Sequence, residues 1–258
     1  MEFTVVTLIK DEDDLIPFTL PSYYALKPSE VVLCFDKPAP EKTLQVTKEV
    51  VSKCNGGAIT KIVEVERDPH YYFHQANLRR TGFHKATHNI ILTGDIDLHV
   101  DSRIKHYLRL IDGNVGLVSF NKVGYPPSFR LALANFIAKV YKLKGKQGFT
   151  GLYAFSKKAW LETEDTEHLK RQVTRGEDTH LHHYLTKKYA SRFITGLRNY
   201  CLRPKEGGQY QIMQGANAWA TRKTPLWRFL LSSVLYIRPY ALIGYLQARY
   251  GLLRVFKG

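Results

Sequence analysis

The feature that most constrains this chain is a recurring unit. A short β-branched apolar run ends at an acidic residue, and a stretch with helical character follows. Phe3 to Ile9 reads as a buried strand and leads into Asp11-Glu12-Asp13-Asp14. Glu30 to Phe35 is a second such run and ends at Asp36. Ala58 to Glu66 reads as a third strand. Asn89 to Thr93 is a fourth and runs directly into Gly94-Asp95-Ile96-Asp97, and Val115 to Phe120 is a fifth. Between them a helix is expected over Leu15–Leu26, shortened or kinked by Pro17 and Pro21. A second covers Glu41–Lys53 and stops at Asn55-Gly56-Gly57, a third covers Phe73–Ala86, and a fourth begins near Ser102. The acidic run at Asp11 to Asp14 is placed to cap the first helix, where carboxylates meet the positive end of the dipole. This alternation specifies an α/β fold with a mostly parallel central sheet flanked by helices. Ligands of such sheets bind at the carboxyl ends of the strands, so Asp36, Asp95 and Asp97 stand at functional addresses.

Composition narrows the class. Hydrophobic residues make up 44% and charged residues 24% of the 258, a globular balance that argues against wholesale disorder. Cys34, Cys54 and Cys201 are odd in number and widely spaced, with no C-x-x-C, which argues against a disulfide framework or a zinc knuckle. Met1-Glu2-Phe3 lacks the basic start and apolar run of a signal peptide. The 38 Lys and Arg outnumber the 23 Asp and Glu, for a formal charge of +15, which points to a polyanionic partner: nucleic acid, anionic membrane or phosphorylated substrate.

Two constellations can carry chemistry. In Thr93-Gly94-Asp95-Ile96-Asp97-Leu98-His99, two carboxylates spaced i, i+2 at a strand end can converge on one hard divalent cation. Mg²⁺ or Mn²⁺ there would bridge to diphosphate oxygens and neutralise a leaving group, and His99 would add a ligand favouring Mn²⁺. The plain alternative is a turn with solvated carboxylates. The second constellation is Arg175-Gly176-Glu177-Asp178-Thr179, where the acidic pair either caps a helix or supplies a general base. In the catalytic reading Asp178 is the base for an acceptor hydroxyl, and Glu177 positions the acceptor or tunes the base. An acceptor that is already an anionic phosphate needs no base, so this pair favours a hydroxyl. His180, His182 and His183 do not follow a zinc spacing.

The order of these features resembles family 2 glycosyltransferases of the GT-A fold, and among them membrane-associated inverting enzymes of bacteria and archaea. The resemblance covers about residues 3–185. Thr7-Leu8-Ile9-Lys10-Asp11 matches the family's first-strand segment, Asp36 its nucleotide-holding acid, and Leu78-Arg79-Arg80-Thr81-Gly82 the turn before its metal strand. Asp95 and Asp97 match its D-x-D. Gly148-Phe149-Thr150-Gly151 through Phe155-Ser156-Lys157-Lys158 matches its acceptor segment, and Glu177-Asp178 its acidic pair. The resemblance implies a nucleotide-diphosphate sugar donor held by Thr7, Ile9, Asp11, Asp36, Arg79 and Asp95. It implies Mn²⁺ or Mg²⁺ on Asp95, Asp97 and His99, and a single inverting displacement with Asp178 as base. Several positions depart from the family pattern: Thr7, Ile9 and Lys10 replace Pro, Tyr and Asn, Gly94 stands where an apolar residue is common, and Ile96 separates the aspartates. His99 takes the place of Gln in the D-A-D-L-Q of polyprenyl-phosphate sugar transferases. A polyprenyl-phosphate sugar synthase and a nucleotidyltransferase are the alternative enzymes, and a basic nucleic-acid-binding module is the non-enzymatic one.

The second half reads differently. A helix is expected over Arg130–Leu143, followed by a Gly- and Lys-rich loop over Lys144–Gly151. Lys144, Lys146, Lys157 and Lys158 flank this loop and are candidates for phosphate contacts. No acid follows Glu206, while seven cations from Arg222 to Lys257 stand among Trp219, Trp227, Phe229, Tyr236, Tyr240, Tyr245 and Phe256. The uncharged runs Phe229–Ile237 and Pro239–Ala248 are shorter than the roughly 18 residues of a spanning helix. The expected organisation is a catalytic domain over 1–220 and a basic amphipathic helical segment over 221–258. That segment either lies on an anionic membrane surface or packs on the domain. The expected location is cytoplasmic, peripheral on the inner face of the membrane. The expected partners are a sugar nucleotide and a glycan or lipid-linked acceptor, not nucleic acid, because no nucleic-acid-binding motif is present.

Overall fold

The computed structural model describes residues 1–71, 74–124, 136, 151–164, 177–202, 212, 215–216, 219, 225–235 and 239–250. They fall in two compact units. The first lies within Met1–Gly124, Gly148–Lys170 and Gly176–Arg203, and the second within Tyr125–Gln147, Arg171–Arg175 and Pro204–Gly258.

The first unit opens as the sequence predicts, with β1 (Thr4–Ile9), α1 (Ile16–Tyr24), β2 (Glu30–Asp36), α2 (Glu41–Cys54), β3 (Ile59–Val65), α3 (His74–Lys85) and β4 (Ile90–Asp95). It continues with β5 (Leu98–His99), α4 (Ile104–Leu108), β6 (Val115–Phe120) and β7 (Val123–Gly124). It closes with β8 (Tyr153–Ser156), α5 (Lys157–Thr163), α6 (Glu177–Lys188), β9 (Ala190–Ile194) and β10 (Tyr200–Cys201). The main sheet has the order β3-β2-β1-β4-β8-β6-β9, and only β8 runs antiparallel to its neighbours. A small second sheet has the order β5-β10-β7.

The main sheet is covered on both faces, and the period of two along each strand shows it. Phe3, Val5 and Ile9 join a core with Ile16, Leu20 and Tyr23 of α1 and Ile104 and Leu108 of α4. Val6 and Leu8 join the opposite core with Leu78 and Phe83 of α3, Trp160 of α5, and Leu181 and Leu185 of α6. Parallel strands buried on both faces read as continuous apolar runs, which is why these were legible. Gly82 lets α3 approach the sheet: a Cβ there would come 2.5 Å from Val6 Cγ1 and 2.7 Å from Cys34 Sγ. The Leu78 to Gly82 segment, which the family resemblance matched to a turn, lies in the helix expected over Phe73–Ala86, with one face pressed on β1 and β2.

Three other expectations need correction. The acidic run does not cap α1, because Leu15 precedes the helix with no side-chain cap. Glu12 instead accepts hydrogen bonds from the N–H groups of Lys10 (2.7 Å) and Asp11 (3.1 Å), and Asp13 pairs with Lys42. Tyr153–Ser156, expected within an acceptor segment, is the reversed strand β8 and is fully buried. Ser156 pairs with Ile90, the first residue of β4, so Lys157 and Lys158 sit at the opposite end of that strand from Asp95. Lys157 Nζ is spent there on the carbonyls of His84 (3.1 Å) and Ala86 (2.6 Å). Lys144, Lys146 and most of the expected 130–143 helix and 144–151 loop lie outside the described residues.

In the second unit the expected tail helices are α7 (Leu226–Leu235) and α8 (Pro239–Arg249). Tyr245 of α8 is buried and stacks on Phe229 of α7 with ring centroids 4.5 Å apart. Among the described residues no helix is long and apolar enough to cross a membrane.

Candidate active site

Six of the seven main-sheet strands point the same way, so their carboxyl ends gather on one edge. Asp36 ends β2, Asp95 ends β4, and Lys122 follows β6 by two residues. Because β8 is reversed, Gly151 just before it reaches this same edge. Helix α6 runs back towards β9, which brings its first residues, Glu177 and Asp178, there as well.

The D-x-D is built by alternation. Ile96, Leu98 and Val100 are buried, while Asp95 and Asp97 between them are half-buried. Gly94 is required by its neighbour: a Cβ there would come 2.6 Å from the Tyr23 hydroxyl and 2.8 Å from Leu152. That hydroxyl donates to the Asp95 carbonyl at 2.9 Å. Burial, and then the charges of Asp95 and Asp97, push the Tyr23 phenol well above its ordinary value, so it stays a donor. Asp97 is tied through the small sheet. Its carbonyl accepts from Leu202 N–H at 2.9 Å, and its Oδ2 accepts from the Cys201 thiol at 3.5 Å.

Asp95 has two differently used oxygens. Oδ1 accepts from Arg79 Nη2, and Arg79 Nη1 reaches Thr93 Oγ1 at 3.4 Å. Arg79, expected at the nucleotide, is only 3% exposed and is Asp95's ion-pair partner. Oδ2 faces the other way. A Cβ on Gly151 would stand 3.6 Å from Asp95 Oδ2, 3.9 Å from Asp178 Oδ2 and 3.3 Å from Lys122 Nζ. Two carboxylates and an ammonium thus converge on one backbone position that lacks a side chain.

The other expected residues are placed unequally. Asp36 lies at the same edge, half-exposed, with His74 Nε2 2.9 Å from its Oδ1. Asp11 is exposed beyond the end of β1. Thr7 and Ile9 lie in β1, which is central in the sheet, and both side chains are buried. Thr7 Oγ1 donates to the Gly94 carbonyl at 2.9 Å and so fixes the strand that carries the D-x-D. His99 does not join the aspartates. It is exposed on β5 opposite Tyr200, and no group of three or more His, Cys, Asp or Glu among the described residues is placed to hold a metal ion. Asp95 and Asp97 remain a pair of hard oxygen donors, which suits Mg²⁺ or Mn²⁺ that takes its other ligands from phosphate and water. The Glu177 backbone starts α6, and its side chain lies outside the described residues. Lys122, at the same edge, is not among the residues expected from the sequence. Its signal was the one used for Asp36 and Asp95, a polar residue just past an apolar strand.

No protein-family model matches the chain, and no curated protein does. Solved structures do match. The mannosyltransferase PcManGT from Pyrobaculum calidifontis, in complex with GDP-Man and Mn²⁺, is similar with a TM-score of 0.64 at 20% identity, over 99% of this chain and 81% of that one. The TarS 1-349 structure from S. aureus is similar with a TM-score of 0.53 at 13% identity, over 98% of this chain and 73% of that one. The fold is GT-A. With the GT-A fold, the gathering of Asp36, Asp95, Asp178 and Lys122 at the carboxyl edge is a property of topology, since each is carried there by a different strand or helix.

Proposed function

We propose that the protein is a glycosyltransferase that moves a sugar from a nucleotide-diphosphate donor to a hydroxyl, in one inverting displacement. The observation that carries this reading is the convergence of Asp95 and Asp178 on Gly151. Asp95 and Asp97 would hold Mn²⁺ or Mg²⁺, which supplies charge neutralisation for the diphosphate. Asp36 accepts hydrogen bonds from the base or ribose at the β2 end. Asp178 accepts the hydroxyl proton as that oxygen bonds to the anomeric carbon. The carbon's bond to the diphosphate oxygen breaks, and the nucleoside diphosphate leaves with the electron pair. Arg79 and Tyr23 act through Asp95: one fixes its carboxylate and the other its carbonyl.

Asp178→Asn tests the base. Turnover should fall by about 10²- to 10⁴-fold with donor affinity kept, and the product should carry the inverted anomeric configuration by NMR. Normal turnover in this variant, or retention at the anomeric carbon, would sink the mechanism.

We further propose that the second unit binds an anionic bilayer. Trp227, Leu230 and Val234 recur at i, i+3 and i+7 on α7 and are exposed, as are Tyr240 and Ile243 on α8 and Tyr250 just beyond. Exposed apolar side chains at helical spacing in an acid-free, cation-rich segment fit the boundary of a negatively charged membrane. The protein should co-sediment with phosphatidylglycerol vesicles and not with phosphatidylcholine ones. A Leu230→Ser, Val234→Ser double variant should lose this, and equal pelleting of the two proteins would count against the assignment.

A further inference from the structure

Lys122 is held in the site by construction. The residue before it, Asn121, donates from Nδ2 to the Leu197 carbonyl at 2.9 Å and accepts from Leu197 N–H at 3.1 Å. Asn199 Nδ2 donates to the Asn121 carbonyl at 2.8 Å, and Val123 N–H donates to the Asn199 carbonyl at 2.8 Å. Lys122 is thus bracketed on both sides by the segment leading into β10. The same β10 pairs with β5, which begins one residue after Asp97. It pairs with β7, which begins one residue after Lys122. One short strand therefore fixes both the second aspartate and the lysine at the sheet edge.

The charge arrangement says what the lysine meets. Asp95 Oδ1 is taken by Arg79, which leaves Oδ2 towards Gly151. Lys122 Nζ stands across that same position, 3.3 Å from where a Gly151 Cβ would be. Lys122 itself is solvent-exposed, so a ligand can reach it. A ligand that bridges a carboxylate-bound cation and an ammonium must carry negative oxygens on two sides, which a diphosphate does and a neutral sugar or base does not. We infer that Lys122 is a binding residue for the phosphate oxygens of the donor, clamping the diphosphate against the D-x-D. This rests on the glycosyltransferase reading and adds to it the residue that discriminates phosphate from the rest of the donor.

Isothermal titration of the whole chain with nucleoside diphosphate plus Mn²⁺, the bare nucleoside, and glycerol 3-phosphate tests it. The proteins are wild type, Lys122→Gln, Lys122→Arg and Lys48→Gln, the last removing one exposed positive charge on α2. Lys122→Gln should weaken the nucleoside diphosphate by about 10- to 100-fold, with the nucleoside unchanged. Lys122→Arg should recover most of the loss, and Lys48→Gln should match wild type. Circular dichroism checks that all four are folded. If wild type binds the diphosphate and Lys122→Gln binds it equally well, the inference fails while the glycosyltransferase reading stands. If the loss appears for glycerol 3-phosphate and not for the diphosphate, the lysine serves the acceptor, and the donor assignment is overturned. If wild type binds no nucleoside diphosphate with Mn²⁺, the glycosyltransferase reading fails and the inference falls with it.

Discussion

The Arg79–Asp95 pair predicts an asymmetry between two mutations. The Arg79 side chain is 4% exposed and the Asp95 side chain 34%. Removing the carboxylate with Asp95→Ala leaves a buried guanidinium without that counter-charge. The cost of breaking a buried pair this way is about 3–5 kcal/mol. Removing the guanidinium with Arg79→Met fills the buried space with an apolar chain of similar length. It leaves a carboxylate that water already reaches, and the cost should be about 1–2 kcal/mol. The two variants therefore differ by about 1–4 kcal/mol, although each breaks the same contact. Urea denaturation followed by circular dichroism measures both. Adding Mn²⁺ supplies a second readout. It should raise the midpoint of Arg79→Met at least as much as wild type, since Oδ1 is released, and should leave Asp95→Ala unmoved. An Arg79→Met midpoint at or below that of Asp95→Ala would overturn this asymmetry.

Other consequences follow from the same geometry. Gly94→Ala pushes a methyl group into the Tyr23 hydroxyl and should destabilise the protein by about 1–3 kcal/mol in thermal unfolding. Gly151→Ala makes contacts of 3.3–3.9 Å, so it should fold normally and lose turnover instead. Asp101 is held well below the usual carboxylate range by the Arg103 guanidinium first, and by N–H donors of Arg198 and Arg103 against an opposing effect of burial. A depressed carboxylate contributes stability that is complete above its unfolded value and is lost as pH falls towards its folded one. Asp101→Asn should thus lower stability by about 1–2 kcal/mol at pH 7 and by progressively less below about pH 4, as unfolding curves across pH would show. Burial pushes the Cys34 thiol up to about 12, so it should resist alkylation at pH 8. Cys201, half-buried against Asp97, should react there and be protected by donor plus Mn²⁺, as peptide mass mapping would report.

Much of the frame was legible because burial on both faces writes itself into a strand as an unbroken apolar run. Val5, Val6, Val31, Val32, Ile91 and Leu92 announce their strands this way, and the acid after each run marks the edge where ligands bind. What was not legible depends on distance in the chain. Nothing local tells that Arg79 ends on Asp95, sixteen residues on, or that Asn199 fixes the loop at Asn121. β8 was hidden because the four residues Tyr153–Ser156, between a Gly- and Lys-rich stretch and Lys157-Lys158, look like part of a basic loop until the sheet supplies neighbours on both sides. The burial of Thr7 and Ile9 was not legible for a related reason. A central strand points its side chains into the two cores along most of its length.

In the proposed function a sugar nucleotide binds through the D-x-D edge with a divalent cation. A thermal-shift panel of UDP, GDP, CDP and dTDP sugars, with and without Mn²⁺, tests it on wild type and Asp97→Asn. At least one donor should raise the melting temperature only when Mn²⁺ is present, and Asp97→Asn should abolish the rise. No shift with any donor, or an equal shift without the metal and in Asp97→Asn, would contradict it.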